Sequence, residues 1–306
     1  MEPIDLSAVR RLYKDGVNII DHLRKQLGSQ FNTEQLVEIS YDIQAGSYVD
    51  YVEQQPEACQ PYQAEVSRLV DAFISPGDSV VDVGTGEMTT LAPVARGCYH
   101  KAAQAYAIDI SLSRLLVGQR YLHDKLPASL GEKIQPAVAS LFRLPFADNS
   151  IDLLWTSHAL EPNGGRELDA LRELARVCRK RLVLFEPSYE HNSAAGRQRM
   201  ERLGYIKDLP GAVARIPGLE LEQTLRIATT ENLLNPTYAY VIRKTGSAPR
   251  QPPTLHCPLS HGALEPRNGY FYSKHSLLAY PVIEGIPVLR VDKGISASIL
   301  DTQDPS

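Results

Sequence analysis

A strand-like apolar run that breaks into two glycines spaced by one residue constrains this chain more than any other feature. Residues 80–90 read Val80-Val81-Asp82-Val83-Gly84-Thr85-Gly86-Glu87-Met88-Thr89-Thr90. Val80, Val81 and Val83, on both sides of the alternation, fit a strand buried on both faces. The glycines permit positive φ and let backbone N–H groups come close to a ligand. In an open α/β sheet such a turn lies at the carboxyl edge, where these folds bind small molecules. Alone, the two glycines are compatible with a plain tight turn. The next apolar run, however, ends in Asp109, whose carboxylate can accept both ribose hydroxyls of a nucleoside. A dinucleotide turn needs a third glycine where Thr89 stands, and no Gly-Lys-Ser/Thr follows as in a P-loop. Asp82 repels phosphate and suits a cationic or amino-bearing ligand.

Around the turn, short β-rich runs alternate with helical ones. Residues 79–83, 105–108, 134–139, 152–156 and 181–185 read as buried strands. Leu168, Leu171, Leu174 and Cys178 mark an amphipathic helix between the last two. This alternation predicts right-handed crossovers and a parallel sheet covered on both faces. Residues 221–228 and 238–243 have no long helix between them and predict an antiparallel pair at the sheet's edge. Towards the N-terminus, Val9, Leu12, Tyr13, Val17, Ile20, Leu23 and Leu27 keep helical spacing up to Gly28, which predicts one helix. A second is predicted over residues 63–74. Residues 245–254 hold Pro249, Pro252 and Pro253 and read as a linker. The expected fold is α/β, a Rossmann-like doubly wound, mostly parallel, seven-stranded sheet. Its divisions are an N-terminal helical cap or lid (1–78), a ligand-binding domain (79–244), the linker, and a small C-terminal α+β module (255–306).

Charge narrows the partners. The formal net charge is −4, which leaves no excess of positive charge for a nucleic-acid backbone. The acidity is local: residues 1–78 carry 6 Lys/Arg against 13 Asp/Glu, while 79–254 carry 22 against 18. Four scattered cysteines (Cys59, Cys98, Cys178, Cys257) argue against a disulfide framework. The N-terminus has no basic region followed by an apolar run, and no 18 apolar residues occur together. The expectation is therefore a cytoplasmic protein without a signal peptide or membrane contact.

With these residues in view, 79–186 resembles a class I S-adenosylmethionine-dependent methyltransferase, of the ubiquinone/menaquinone-type group. Residues 80–90 are similar to the family's hhDhGxGxG motif, with Met88 at the last glycine. Leu144-Pro145-Phe146-Ala147-Asp148-Asn149-Ser150-Ile151-Asp152 matches its LPFxDxxFD stretch, and Trp155 to Glu161 matches the segment where methyl donor and acceptor meet. The resemblance implies S-adenosylmethionine as cofactor, with Asp82, Gly84, Gly86, Asp109, Ser140, Leu141 and Ser157 around it. Ser140 stands where the family often has an aspartate against the adenine amino group. Tyrosines ahead of the glycine turn often close over the cofactor in related enzymes, which points to Tyr41 and Tyr48, with Gly46 as a hinge.

For chemistry, Ser157, His158 and Glu161, and further on Glu186 and Tyr189, sit where the family transfers its methyl group. His158 and Glu161 are the candidate catalytic residues: methyl transfer to an alcohol needs a base with a pKa near the operating pH, which suits His158, while Glu161 either faces the site or orients the loop. No Asn-Pro-Pro-Tyr-like segment occurs, which disfavours N-methylation of adenine or glutamine, and no cluster suggests a catalytic metal. Arg197, Arg199, Arg202 and Lys207 would suit an anionic acceptor. The C-terminal region, with Cys257-Pro258 and Tyr280-Pro281…Gly285-Ile286-Pro287-Val288-Leu289, resembles a Trm112-like zinc-ribbon module. Ser260, and the absence of cysteine over 273–276, imply a module without metal. The expected function is methylation, at oxygen, of a small molecule or saccharide. A homodimer is compatible with the sequence. RNA methylation and a non-catalytic cofactor-binding scaffold are the alternatives.

Overall fold

The computed structural model describes residues 4–229, 232–246 and 249–302. Five helices precede the first strand: α1 (Leu6–Lys14), α2 (Ile19–Gln26), α3 (Glu34–Ile43), α4 (Ser47–Gln54) and α5 (Pro56–Asp71). The single helix expected up to Gly28 is two. The chain turns at Gly16, in the left-handed region at φ 79°, and Asn18 caps α2 by accepting the Asp21 N–H at 2.9 Å. Helical spacing continued across this break because Val9, Ile19 and Leu23 pack into one cluster with Leu36 and Ile39 of α3. The second expected helix starts earlier, at Pro56, where a missing N–H costs nothing.

There follow β1 (Ser79–Val83), α6 (Leu91–Cys98), β2 (Gln104–Asp109), α7 (Leu112–Lys125), the short α8 (Ala128–Gly131), β3 (Ile134–Val138) and β4 (Ile151–Ser157). Then come α9 (Glu167–Val177), β5 (Cys178–Pro187), α10 (Ala194–Leu203), α11 (Leu209–Ala214), β6 (Leu219–Arg226) and β7 (Thr237–Lys244). The seven strands run β3-β2-β1-β4-β5-β7-β6. β1 is parallel to β2 and β4, and β7 is antiparallel to β5 and β6, as the late pair of runs predicted. Alternate residues feed two cores. Val80, Leu153, Trp155, Val183 and Phe185 face α5, α6 and α7. Val81, Val83, Leu154, Leu182 and Leu184 face α9 and α11. The order reverses between β1 and β4, so the glycine turn after β1 opens at the switch point of the sheet.

The C-terminal residues form a small antiparallel sheet of β8 (Glu265–Arg267), β9 (Tyr270–Ser273), β10 (Leu278–Ile283), β11 (Ile286–Pro287) and β12 (Ile295–Ser296). It is bonded to the large sheet. Val288 bridges Val138 in parallel, and the Leu289 N–H donates to the Val138 carbonyl at 2.7 Å. The edge strand β3, which carries Pro136, is thereby covered. Residues 249–254 cross the body: Arg250 lies 3.2 Å from Asp152, and the Tyr106 hydroxyl donates to the Pro253 carbonyl. Cys257 sits in a knot of hydroxyls, with Ser276 Oγ at 3.4 Å, Tyr280 Oη at 3.3 Å and Ser260 Oγ 3.4 Å from Ser273 Oγ. Among the described residues no helix is long and apolar enough to cross a membrane.

Candidate active site

The path of the turn explains its composition. Gly84, Gly86 and Met88 all lie in the left-handed region, at φ 76°, 56° and 59°. A Cβ on Gly84 would come within 2.2 Å of the Ala159 Cβ, so this position closes the turn against the loop after β4. Met88 accepts a strained backbone and is fully buried, its Cγ and Sδ packed on Gly118. The Gly86 N–H donates to Asp109 Oδ2 at 2.8 Å, and the Ser111 N–H to Asp109 Oδ1 at 2.9 Å. The glycine turn and the acid after β2 are thus one hydrogen-bonded unit.

A cavity of about 640 Å³ opens above this unit. Of the residues expected at the site, Tyr48, Asp82, Gly84, Asp109, Ser140, Leu141, Ser157, His158 and Glu161 all line it. Gly86 does not border it; the Arg114 guanidinium lies where a Gly86 Cβ would be. Tyr189 is away from it, bonded to Glu201 on α10. Asp82 is buried, and neither its Oδ1 nor the buried Thr85 Oγ1 has a partner of full hydrogen-bond geometry among the described residues. Burial, with the nearby Asp109 charge, pushes the Asp82 carboxyl up to about 8.

The roof is built from α3 and α4. Gly46, at φ 101°, starts α4 without a side-chain cap of its own. Glu87 from the glycine turn supplies it, accepting the Gly46 N–H at 3.1 Å and the Val49 N–H at 2.8 Å. Arg114 of α7 lies between Tyr41 and Tyr48, 5.1 and 4.6 Å from their ring centroids. Sequence reasoning singled out the two tyrosines and missed Arg114 and Glu87. Arg114 reads as an ordinary charged residue of a helix, and Glu87, although it follows Gly86 in the turn, caps a helix 38 to 41 residues earlier in the chain, which no local spacing encodes.

At the other end, the loop after β4 is gripped by Glu186. Its carboxylate accepts the N–H groups of Ala159, Leu160 and Glu161 and the Thr156 hydroxyl, at 2.7 to 3.1 Å. Burial pushes it up to about 7 against the pull of those donors. The grip holds His158 in the left-handed region, at φ 57°, which is uncommon outside glycine. His158 Nδ1 meets Glu161, and Nε2 lies 3.0 Å from Thr237 Oγ1. Asn235 donates to Glu161 Oε1 at 3.2 Å. Burial opposes charge on His158, but Glu161 and Glu186 outweigh it and hold its pKa above the usual value. Burial likewise opposes charge on Glu161, and His158 outweighs it, so this carboxyl lies below its usual range. Arg199 of α10 also lines the cavity, stacked 5.4 Å from the Tyr205 ring centroid and 3.3 Å from Asn235 Oδ1.

Residues 81–185 match the family model described as a methyltransferase domain. S-adenosylmethionine is the cofactor of such a domain. No curated protein sequence matches the chain. Among solved structures, magnesium protoporphyrin IX methyltransferase from Synechocystis PCC 6803, with bound SAH, is 16% identical. It aligns over 70% of this chain and 100% of its own, with a TM-score of 0.52. A chain of the complex between the Haloferax volcanii Trm112 methyltransferase activator and a protein described as a methyltransferase candidate is also 16% identical. It aligns over 67% of this chain and 98% of its own, with a TM-score of 0.50. At these identities the likeness is one of fold.

Proposed function

We propose that the protein transfers a methyl group from S-adenosylmethionine to a hydroxyl of a small anionic acceptor, a sugar acid or comparable compound. The observation that carries this reading is a histidine–carboxylate pair facing the same cavity as the glycine turn. The residues present fit the cofactor. Asp82 Oδ1 and Thr85 Oγ1 are buried acceptors without a partner of full hydrogen-bond geometry among the described residues, as a ligand ammonium requires. Asp109 is fixed by two backbone N–H groups at the place suited to ribose hydroxyls. Ser140 and Leu141 border an apolar slot for adenine, while Tyr48 and Ser157 flank the reactive end. When bound, the cofactor supplies an electrophilic methyl group.

The chain's own work is to align the acceptor and take its proton. In the tautomer that carries its proton on Nδ1, His158 donates to Glu161 and Nε2 is the basic nitrogen. In that tautomer Nε2 accepts from the Thr237 hydroxyl, and an acceptor hydroxyl that takes this place hands its proton to Nε2. Arg199 has no ion-pair partner among the described residues and is joined to the pair through Asn235, so an acceptor carboxylate or phosphate on Arg199 would set its hydroxyl beside His158. The C-terminal sheet is read as a fused Trm112-like module, supported by its hairpin through Ile286-Pro287 docking on β3.

Two measurements test this. Asp109→Ala is expected to weaken SAH binding by about 100-fold in calorimetry, the loss of two charge-assisted hydrogen bonds. Labelled methyl transfer into a cell extract is expected to mark a small compound retained on an anion exchanger, and Arg199→Met to raise KM for it at least about tenfold. Label in the RNA fraction would replace the small-acceptor reading with RNA methylation. Absence of SAH binding by the unmodified protein would remove both.

A further inference from the structure

We propose that Glu34, from the N-terminal helix α3, accepts the 6-amino group of the cofactor's adenine and thereby supplies an acid that the strand edge lacks. The proposal rests on the reading of the cavity as the S-adenosylmethionine site.

The position of the ring follows from the sheet. Asp109 ends β2, and β3 is the next strand outward. A base attached to a ribose at Asp109 therefore lies over the end of β3, where Ile110, Ala139, Leu141 and Phe142 border the cavity. These walls suit a flat heteroaromatic face. The adenine edge also carries an amino group, which needs an acceptor when water is excluded. Ser140 stands at this edge with its hydroxyl already used: it accepts from the Phe142 N–H at 3.0 Å and donates to Glu34 Oε2 at 2.5 Å.

Five carboxylates line the cavity among the described residues. Asp82 belongs to β1, at the other end. Asp109 is held by Gly86 and Ser111, Glu87 caps α4, and Glu161 is paired with His158. Only Glu34 lies at the slot. Its side chain keeps 31% of its surface, and Arg166 Nη1 at 3.3 Å anchors its other oxygen. A carboxylate offers about four acceptor positions, so Ser140 and Arg166 leave room for one more donor.

The helix that carries Glu34 is fixed independently. Thr33 caps it through the Leu36 N–H at 3.3 Å. At its far end Asp42 accepts from Ser111 Oγ at 2.8 Å and Ser113 Oγ at 3.0 Å. Arg290, buried in the C-terminal region, pairs with Glu38 in its middle. The amino group of the ligand would add one more tie to this roof. Recognition of adenine would then depend on the N-terminal segment, which lies outside the matched residues 81–185.

Calorimetry with SAH and with S-inosylhomocysteine separates this from a strap that only holds α3. The second probe replaces the amino donor by a carbonyl acceptor. The unmodified protein is expected to prefer SAH at least about tenfold, since a carbonyl facing a carboxylate loses a charge-assisted hydrogen bond. Glu34→Gln, whose amide can donate to the carbonyl, is expected to lose most of that preference. Adding Ser140→Asp to Glu34→Gln is expected to restore it. Equal affinity of the unmodified protein for both probes, or an unchanged ratio in Glu34→Gln, would overturn the proposal while leaving the cofactor reading intact. Failure of the unmodified protein to bind SAH would overturn the cofactor reading itself.

Discussion

Replacing His158 by Asn is expected to lower kcat by about 10²- to 10⁴-fold, the range of a lost general base, while SAH affinity changes little. The separation arises because the His158 ring lies at the acceptor end of the cavity, whereas the cofactor's proposed contacts come from the glycine turn and β2. Glu161→Gln is expected to act on both the plateau and the pH dependence. The base must be neutral to take a proton, so the rate falls as pH drops through the His158 pKa. That pKa is held above 6.5 because Glu161 and Glu186 outweigh the effect of burial. Removing the Glu161 charge lets burial dominate, so the acid limb moves to lower pH even as the plateau falls. A variant that only loosened the loop would lower the plateau and leave the limb in place. Single-turnover rates from pH 5 to 9, with SAH affinity measured in parallel, distinguish the two. A His158→Asn enzyme as fast as the unmodified one would remove the pair from the mechanism.

The sheet was legible because its strands are buried on both sides and their chemistry says so. Val80 faces one core and Val81 and Val83 the other, so the strand reads as apolar on both faces, interrupted only by the buried Asp82 at its carboxyl end. The glycine turn and Asp109 were legible for a related reason: positive φ and an acid at a strand end leave marks in residue type. The roof left none. α4 has eight residues and no side-chain cap of its own, because its cap is Glu87, 38 residues beyond Val49. Glu34 and Ser140 are 106 positions apart, and Thr237 is 79 from His158. Such pairs are made by topology, and no local spacing encodes them. The break at Gly16 was hidden for the opposite reason. Two helices that bury into one cluster keep one periodicity, and a single glycine is weak evidence against a helix.

Removal of residues 255–306 is expected to leave a chain that does not fold to a soluble, SAH-binding form. Their sequence resembles an appended module, but their apolar side chains are shared with the methyltransferase domain. Cys257, Tyr280 and Leu289 are fully buried in the cluster that covers one face of the large sheet, and Ile286 belongs to the cluster on the other. Burying four such side chains contributes on the order of 6–12 kcal/mol, which is comparable with the ~5–15 kcal/mol net stability of a typical domain. Truncation also strips Val288 from the β3 edge, leaving unpaired backbone groups that invite association, and leaves Glu38 of the roof without Arg290. Each loss falls near the adenine side of the cavity, so partial function is not expected from a partly folded product. Soluble yield, circular dichroism and SAH calorimetry on residues 1–254 measure this directly. Adding residues 255–306 as a separate chain is expected to recover solubility, because the contacts are continuous across the cut and need no covalent link. A soluble 1–254 chain with unchanged SAH affinity would mean that the two large-sheet cores close without the C-terminal side chains.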